Sequence, residues 1–140
     1  MTPEQLAKPG TEHAEQVALF AWAAFHVKQH PALAHMFAIP NGGSRGDTQR
    51  SARIVGSRMK AEGVRPGVSD IFLPEPVGIY HGLFIEMKRK DGGEESKEQK
   101  TFGASMRRKG YGYACCHGWE AARDVITAYL THANTGITNE

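Results

Sequence analysis

Asp70, Glu86 and Lys88 combine the residue types and spacing of a reactive centre. Side chains alternate along a strand, so Glu86 and Lys88 of Ile85-Glu86-Met87-Lys88 share one face and Ile85 and Met87 the other. Asp70 opens the preceding apolar run, Ile71-Phe72-Leu73. Antiparallel pairing across the Pro74–Gly82 connection would bring Asp70 beside Glu86. Two carboxylates are hard oxygen ligands suited to Mg²⁺ or Mn²⁺. A divalent ion held there polarises a phosphodiester oxygen and lowers the pKa of water. The lysine neutralises charge developing on the phosphate, or positions the attacking water. A salt-bridged strand pair has the same spacing, so spacing alone leaves both readings open.

The surrounding pattern predicts the elements that must hold these groups. Residues 12–29 read as a helix with two apolar stripes, Val17, Phe20, Ala21 and Ala24, then Leu19, Trp22 and Ala23. A helix apolar on most sides is expected to be largely buried. Glu15 lies along the second stripe, where a carboxylate needs compensation. Residues 36–40 read as a short strand stopped by Pro40 and Asn41-Gly42-Gly43. Asp47 reads as the N-cap of a helix to Gly63, with Ala52, Val55 and Met59 inward and a stripe of Arg50, Arg53, Ser57 and Lys60. Residues 71–73 and 79–90 read as strands, 96–110 as a helix, 111–116 as a strand and 118–130 as a closing helix. The expected fold is α/β (α+β), a single domain with a central mixed four-stranded sheet flanked by helices. Residues 1–11 read as a flexible leader and 131–140 as a flexible tail.

The chain has 140 residues and a formal charge of only +2, which is small for a nucleic-acid partner. The charge is segregated: 14 of the 17 Lys and Arg residues fall between Arg45 and Lys109. Residues 45–65 carry six basic and two acidic side chains, and 88–109 carry eight and four. Local charge, not the sum, sets the field at a surface. No apolar run approaches the length that spans a membrane. No signal peptide is expected, since Glu4, Glu12 and Glu15 interrupt the N-terminal segment. Cys115 and Cys116 are adjacent and cannot build a disulfide framework, which fits a cytoplasmic location. Residues 42–46 lack the Gly-Lys-Ser/Thr of a P-loop. His26 and His30 have zinc-ligand spacing but no evident third ligand.

Gly67-Val68-Ser69-Asp70 followed by Ile85-Glu86-Met87-Lys88 resembles the PD-(D/E)XK nuclease motif, with Ser69 in place of the usual Pro. The chain also resembles the VRR-NUC branch of that superfamily, in its stand-alone phage or prophage form. The match rests on Glu15-Gln16, Ile39-Pro40-Asn41-Gly42, the run Lys60 to Gly67, Ser96-Lys97-Glu98-Gln99, Gly110-Tyr111 and the closing helix. It covers residues 12–130. The resemblance implies metal-dependent phosphodiester hydrolysis by a restriction-endonuclease-like domain. Asp70 and Glu86 would be direct ligands of Mg²⁺ or Mn²⁺, with the Met87 carbonyl a third. Lys88 would hold phosphate or water, Glu15 would help bind a metal, and Gln99 would orient Lys88 or phosphate. Ser96-x-x-Gln99 is equally a capping box, which leaves Gln99 a purely structural alternative.

The expected DNA-binding set is Asn41, Arg45, Arg50, Arg53, Lys60, Arg65, Arg89 and Lys90. Stand-alone members of the family resemble junction resolvases, so the expected activity is an endonuclease on branched, four-way DNA. A homodimer is expected, because a two-fold substrate suits a two-fold enzyme. Phage or host replication and recombination proteins are candidate partners. The alternatives are a DNA-binding module without catalysis and a flap or single-strand nuclease with the same chemistry.

Overall fold

A computed structural model describes residues 1–40 and 49–135, with side chains described for 1–40 and 53–131. The elements in chain order are α1 (Pro3–Leu6), α2 (Glu12–Phe25), a 3-10 turn (Pro31–His35), β1 (Phe37–Ala38), α3 (Gln49–Ala61), β2 (Ile71–Leu73), β3 (Leu83–Lys88), α4 (Lys97–Arg108), β4 (Gly112–His117) and α5 (Trp119–Thr135). The four strands form one mixed sheet in the order β1-β2-β3-β4. β1 and β2 pair antiparallel, as do β2 and β3, while β3 and β4 run parallel. That parallel pair requires a crossover, and α4 supplies it.

Strand alternation gives the sheet two different faces. Ile71, Leu73, Leu83, Ile85 and Met87 form one core with Ala18, Leu19 and Trp22 of α2 and Trp119, Ala122 and Ile126 of α5. On the other face Phe72, Phe84, Phe102 and Tyr111 form an aromatic cluster beneath α4. Glu86 and Lys88 continue the row of Phe84 on this second face. The sheet was legible in the alternation, and so was the Ser96 start of α4.

Several boundaries differ from the sequence reading. Helix α2 stops at Phe25 rather than 29, because His26 leaves helical geometry and its Nδ1 engages the Trp22 carbonyl at 2.8 Å. Only one of the two α2 stripes is buried: Val17 and Ala24 are exposed. The strand expected over 79–90 is limited to Leu83–Lys88, since a Val77–Tyr80 bridge turns the chain before it. The closing helix runs to Thr135, past the expected 130. Helix α1 falls within the stretch read as a leader; Thr2 and Gln5 close a capping box on it, and Leu6 packs on the core. In α3 no side chain from Arg53 to Ala61 is buried, so the expected inward Val55 and Met59 are only half-covered. Asp47 lies outside the described residues.

Candidate active site

The register Ile71 opposite Ile85 places Asp70 next to Glu86 across the β2–β3 pair. Asp70 is fixed from both neighbouring strands. Its Oδ2 accepts from the Met87 amide at 2.7 Å, and its carbonyl accepts from the Ile39 amide at 2.7 Å. Glu86 is 1% exposed, and the register sets its carboxyl beside that of Asp70. Burial, then repulsion by Asp70, pushes Glu86 up to about 8; Lys88 opposes the shift and Glu12 adds to it.

Lys88 Nζ stands 3.7 Å from Glu86 Oε2, and Gln99 mediates between them. Gln99 Nε2 donates to Glu86 Oε2 at 2.8 Å, and Gln99 Oε1 accepts from Lys88 Nζ at 3.1 Å. The same Oε1 accepts from the Ser96 amide at 2.8 Å, completing the capping box. One side chain therefore both closes the capping box and contacts Lys88 and Glu86.

The donor set fits a divalent cation. Glu86 Oε1 is buried and has no hydrogen-bond partner, beside a second carboxylate, which leaves a hard oxygen uncompensated. Among the described residues no three His, Cys, Asp or Glu side chains converge as a closed cage. An open site with two carboxylates suits Mg²⁺, which keeps several waters and takes substrate phosphate. The Met87 side chain points into the core on the opposite face, while its backbone amide stays beside Asp70.

Other expected residues fall elsewhere. Glu15 is 4% exposed, and its Oε1 accepts from the Trp119 amide at 2.8 Å, capping α5. That hydrogen bond compensates the carboxylate on the apolar stripe. Arg53, Lys60 and Arg65 are exposed on and after α3. Arg50 lies in α3 with its side chain outside the described residues; Asn41 and Arg45 lie outside them altogether. Arg89 and Lys90 are exposed just past β3 and line a cleft of about 580 Å³ with Lys8, Glu15 and Trp119. Lys90 is already paired with Glu120 at 2.7 Å. Cys115 and Cys116 face opposite sides of β4, and both are free thiols.

Three residues near the site were missed in the sequence. Glu12, at the start of α2, adds negative potential at Glu86, and its Oε2 lies beside Gly93 and the Lys88 stem. Tyr113 and Glu95 hydrogen-bond each other next to Gln99. The one available signal was period two: Tyr113 is two residues from Cys115, which pairs with Glu86.

An α+β domain with a mixed sheet and a buried acid pair beside a lysine is thus the class defined by fold and site. Among solved structures the chain is similar to a VRR-NUC domain protein, with a TM-score of 0.68, 22% identity, and coverage of 86% of this chain and 88% of that one. The fold is that of a VRR-NUC domain. No family model and no curated protein matches the sequence. No described helix is long and apolar enough to cross a membrane.

Proposed function

We propose that this domain is a metal-dependent nuclease that hydrolyses DNA phosphodiester bonds with PD-(D/E)XK chemistry. The observation that carries the reading is Glu86: a buried acid with an unpartnered oxygen, against Asp70 and bridged to Lys88 through Gln99. The Lys88–Glu86 ion pair alone does not account for the buried oxygen left over on Glu86. Similarity of fold to a VRR-NUC domain protein supports the same reading.

Asp70 and Glu86 would hold Mg²⁺ or Mn²⁺, with the Met87 carbonyl available beside them. When bound, the ion supplies Lewis-acid neutralisation of charge at the scissile phosphate. Lys88 is 6% exposed and held by Gln99, and its ammonium would face the phosphate and offset developing negative charge. Arg53, Lys60, Arg65 and Arg89 offer exposed positive charge for the flanking backbone. The finer reading is an endonuclease acting as a homodimer on branched, four-way DNA, in which each copy would cut one strand.

A panel of linear, flapped and four-way DNA at matched salt, with and without Mn²⁺, tests both levels. Cleavage requires the metal and is greatest on the four-way substrate. Asp70→Ala, Glu86→Ala and Lys88→Ala each abolish it. Variants that cut as well as the wild type would sink the site assignment; metal-indifferent binding with no product would favour a non-catalytic module.

A further inference from the structure

We infer that Tyr113 is a positioning residue of this site, acting through Gln99 with Glu95 as its partner; the inference rests on the nuclease reading above. Tyr113 lies on β4 opposite Phe84, on the sheet face that carries Glu86 and Lys88. Its ring is 9% exposed and occupies a seat that Gly103 of α4 leaves open: a Cβ at 103 would stand 2.7 Å from the ring. Arg107 closes the seat, with its guanidinium 4.9 Å from the ring centroid and Nη2 3.3 Å from the Tyr113 carbonyl.

A ring held against Gly103 and Arg107 of α4 can aim its hydroxyl in few directions. It donates to Glu95 Oε2 and lies 3.4 Å from the Gln99 carbonyl. Burial, then the Glu95 carboxylate, raises the hydroxyl well above its usual range, so it remains a donor at every working pH. Glu95 belongs to the connection between β3 and α4, and Gln99 to the first turn of α4. One hydroxyl therefore ties that connection and that helix start to β4.

The consequence falls on Lys88 and Glu86. The Gln99 amide separates them, leaving Nζ and Oε2 3.7 Å apart. If the first turn of α4 drifts, the ammonium and the carboxylate close into a direct pair and neutralise each other. Neither then faces a cation or a phosphate. Tyr113 and Glu95 keep the bridge in place, although neither touches the reacting groups.

Tyr113→Phe removes only the hydroxyl and keeps the ring, its seat and the Arg107 contact. In a nitrogen-15 spectrum of the metal-free protein, the Gln99 side-chain amide pair moves toward the free-glutamine position. Single-turnover cleavage with Mn²⁺ falls about tenfold, the scale of outer-shell losses. In a Gln99→Ala background the same substitution lowers the rate no further. Glu95→Ala, with the tyrosine intact, reproduces both changes. An unmoved Gln99 amide in Tyr113→Phe overturns the inference, and so does an equal rate loss with and without Gln99. A moved amide in a protein whose wild type cuts no DNA keeps the positioning role and overturns the nuclease reading instead.

Discussion

At the scale of single residues, Gln99 joins local and tertiary structure in one amide. Its oxygen caps α4 through Ser96 and accepts from Lys88, while its nitrogen holds Glu86. The two tasks separate by substitution. Ser96→Ala loses only the cap hydrogen bond to the Gln99 amide, costs about 1 kcal/mol in thermal or urea unfolding, and slows cleavage far less than loss of the Gln99 side chain. Gln99→Ala loses both and slows cleavage by about 10–100-fold. Equal rates for the two variants would reduce Gln99 to a cap. Glu86 gives a second prediction at this scale. Its folded value of about 8 lies above the ordinary 4.5, so the metal-free fold binds that proton more tightly than the unfolded chain. The stabilisation is complete below pH 4.5 and is lost as pH rises through 8. Melting temperature in EDTA therefore declines across that window, and Glu86→Gln flattens the decline. Added Mn²⁺ displaces the proton and raises the melting temperature most at the alkaline end. A wild-type melting temperature that climbs from pH 4.5 to 8 in EDTA would contradict the burial argument.

At the scale of elements, the helices owe their placement to a few close approaches. Gly67 has φ +84°, and a Cβ on it would lie 2.6 Å from the Glu98 carbonyl oxygen in the first turn of α4. Gly67→Ala must shift the start of α4 or adopt a strained backbone. It is expected to destabilise by about 1–3 kcal/mol, read by urea unfolding; a stability equal to wild type would show that α4 yields freely. The contrast between what the sequence revealed and what it hid follows contact range. Strand alternation and the turn at 74–78 already implied the Asp70–Glu86 pairing, and Ser96 already marked the α4 start, because both are local signals. The stripe of Leu19, Trp22 and Ala23 was legible and is buried, but the exposure of Val17 and Ala24 was not, since it depends on where α5 and β3 pack. Glu15 shows why: its partner, the Trp119 amide, is 104 residues away. The unburied side chains of α3 from Arg53 to Ala61 likewise reflect an absence of distant packing, whereas the end of α2 and the start of β3 turn on local contacts, His26 with Trp22 and Val77 with Tyr80.

At the scale of the whole molecule, the formal charge of +2 sums 17 basic and 15 acidic residues that are differently placed. Asp70, Glu86 and Glu15 are enclosed, whereas Arg53, Arg58, Lys60, Arg65, Lys97, Lys100 and Arg107 to Lys109 are exposed. Each basic side chain that meets a DNA phosphate releases counterions, so the logarithm of affinity falls linearly with the logarithm of salt. Exposure alone does not decide which cations take part; pairing does. Lys90 is exposed, yet Glu120 holds it at 2.7 Å, and it must break that contact before meeting a phosphate. Among the described residues Arg53 and Arg65 form no ion pair, and they carry no such penalty. Binding measured on a metal-free four-way DNA across a salt series separates the two kinds. Arg53→Ala and Arg65→Ala each make the slope shallower by about 1. Lys90→Ala changes it little, because the protein loses an ion pair rather than a free cation. A Lys90→Ala slope reduced as much as that of Arg53→Ala would mean that Lys90 leaves Glu120 for the DNA, and that the surface around α5 belongs to the DNA path.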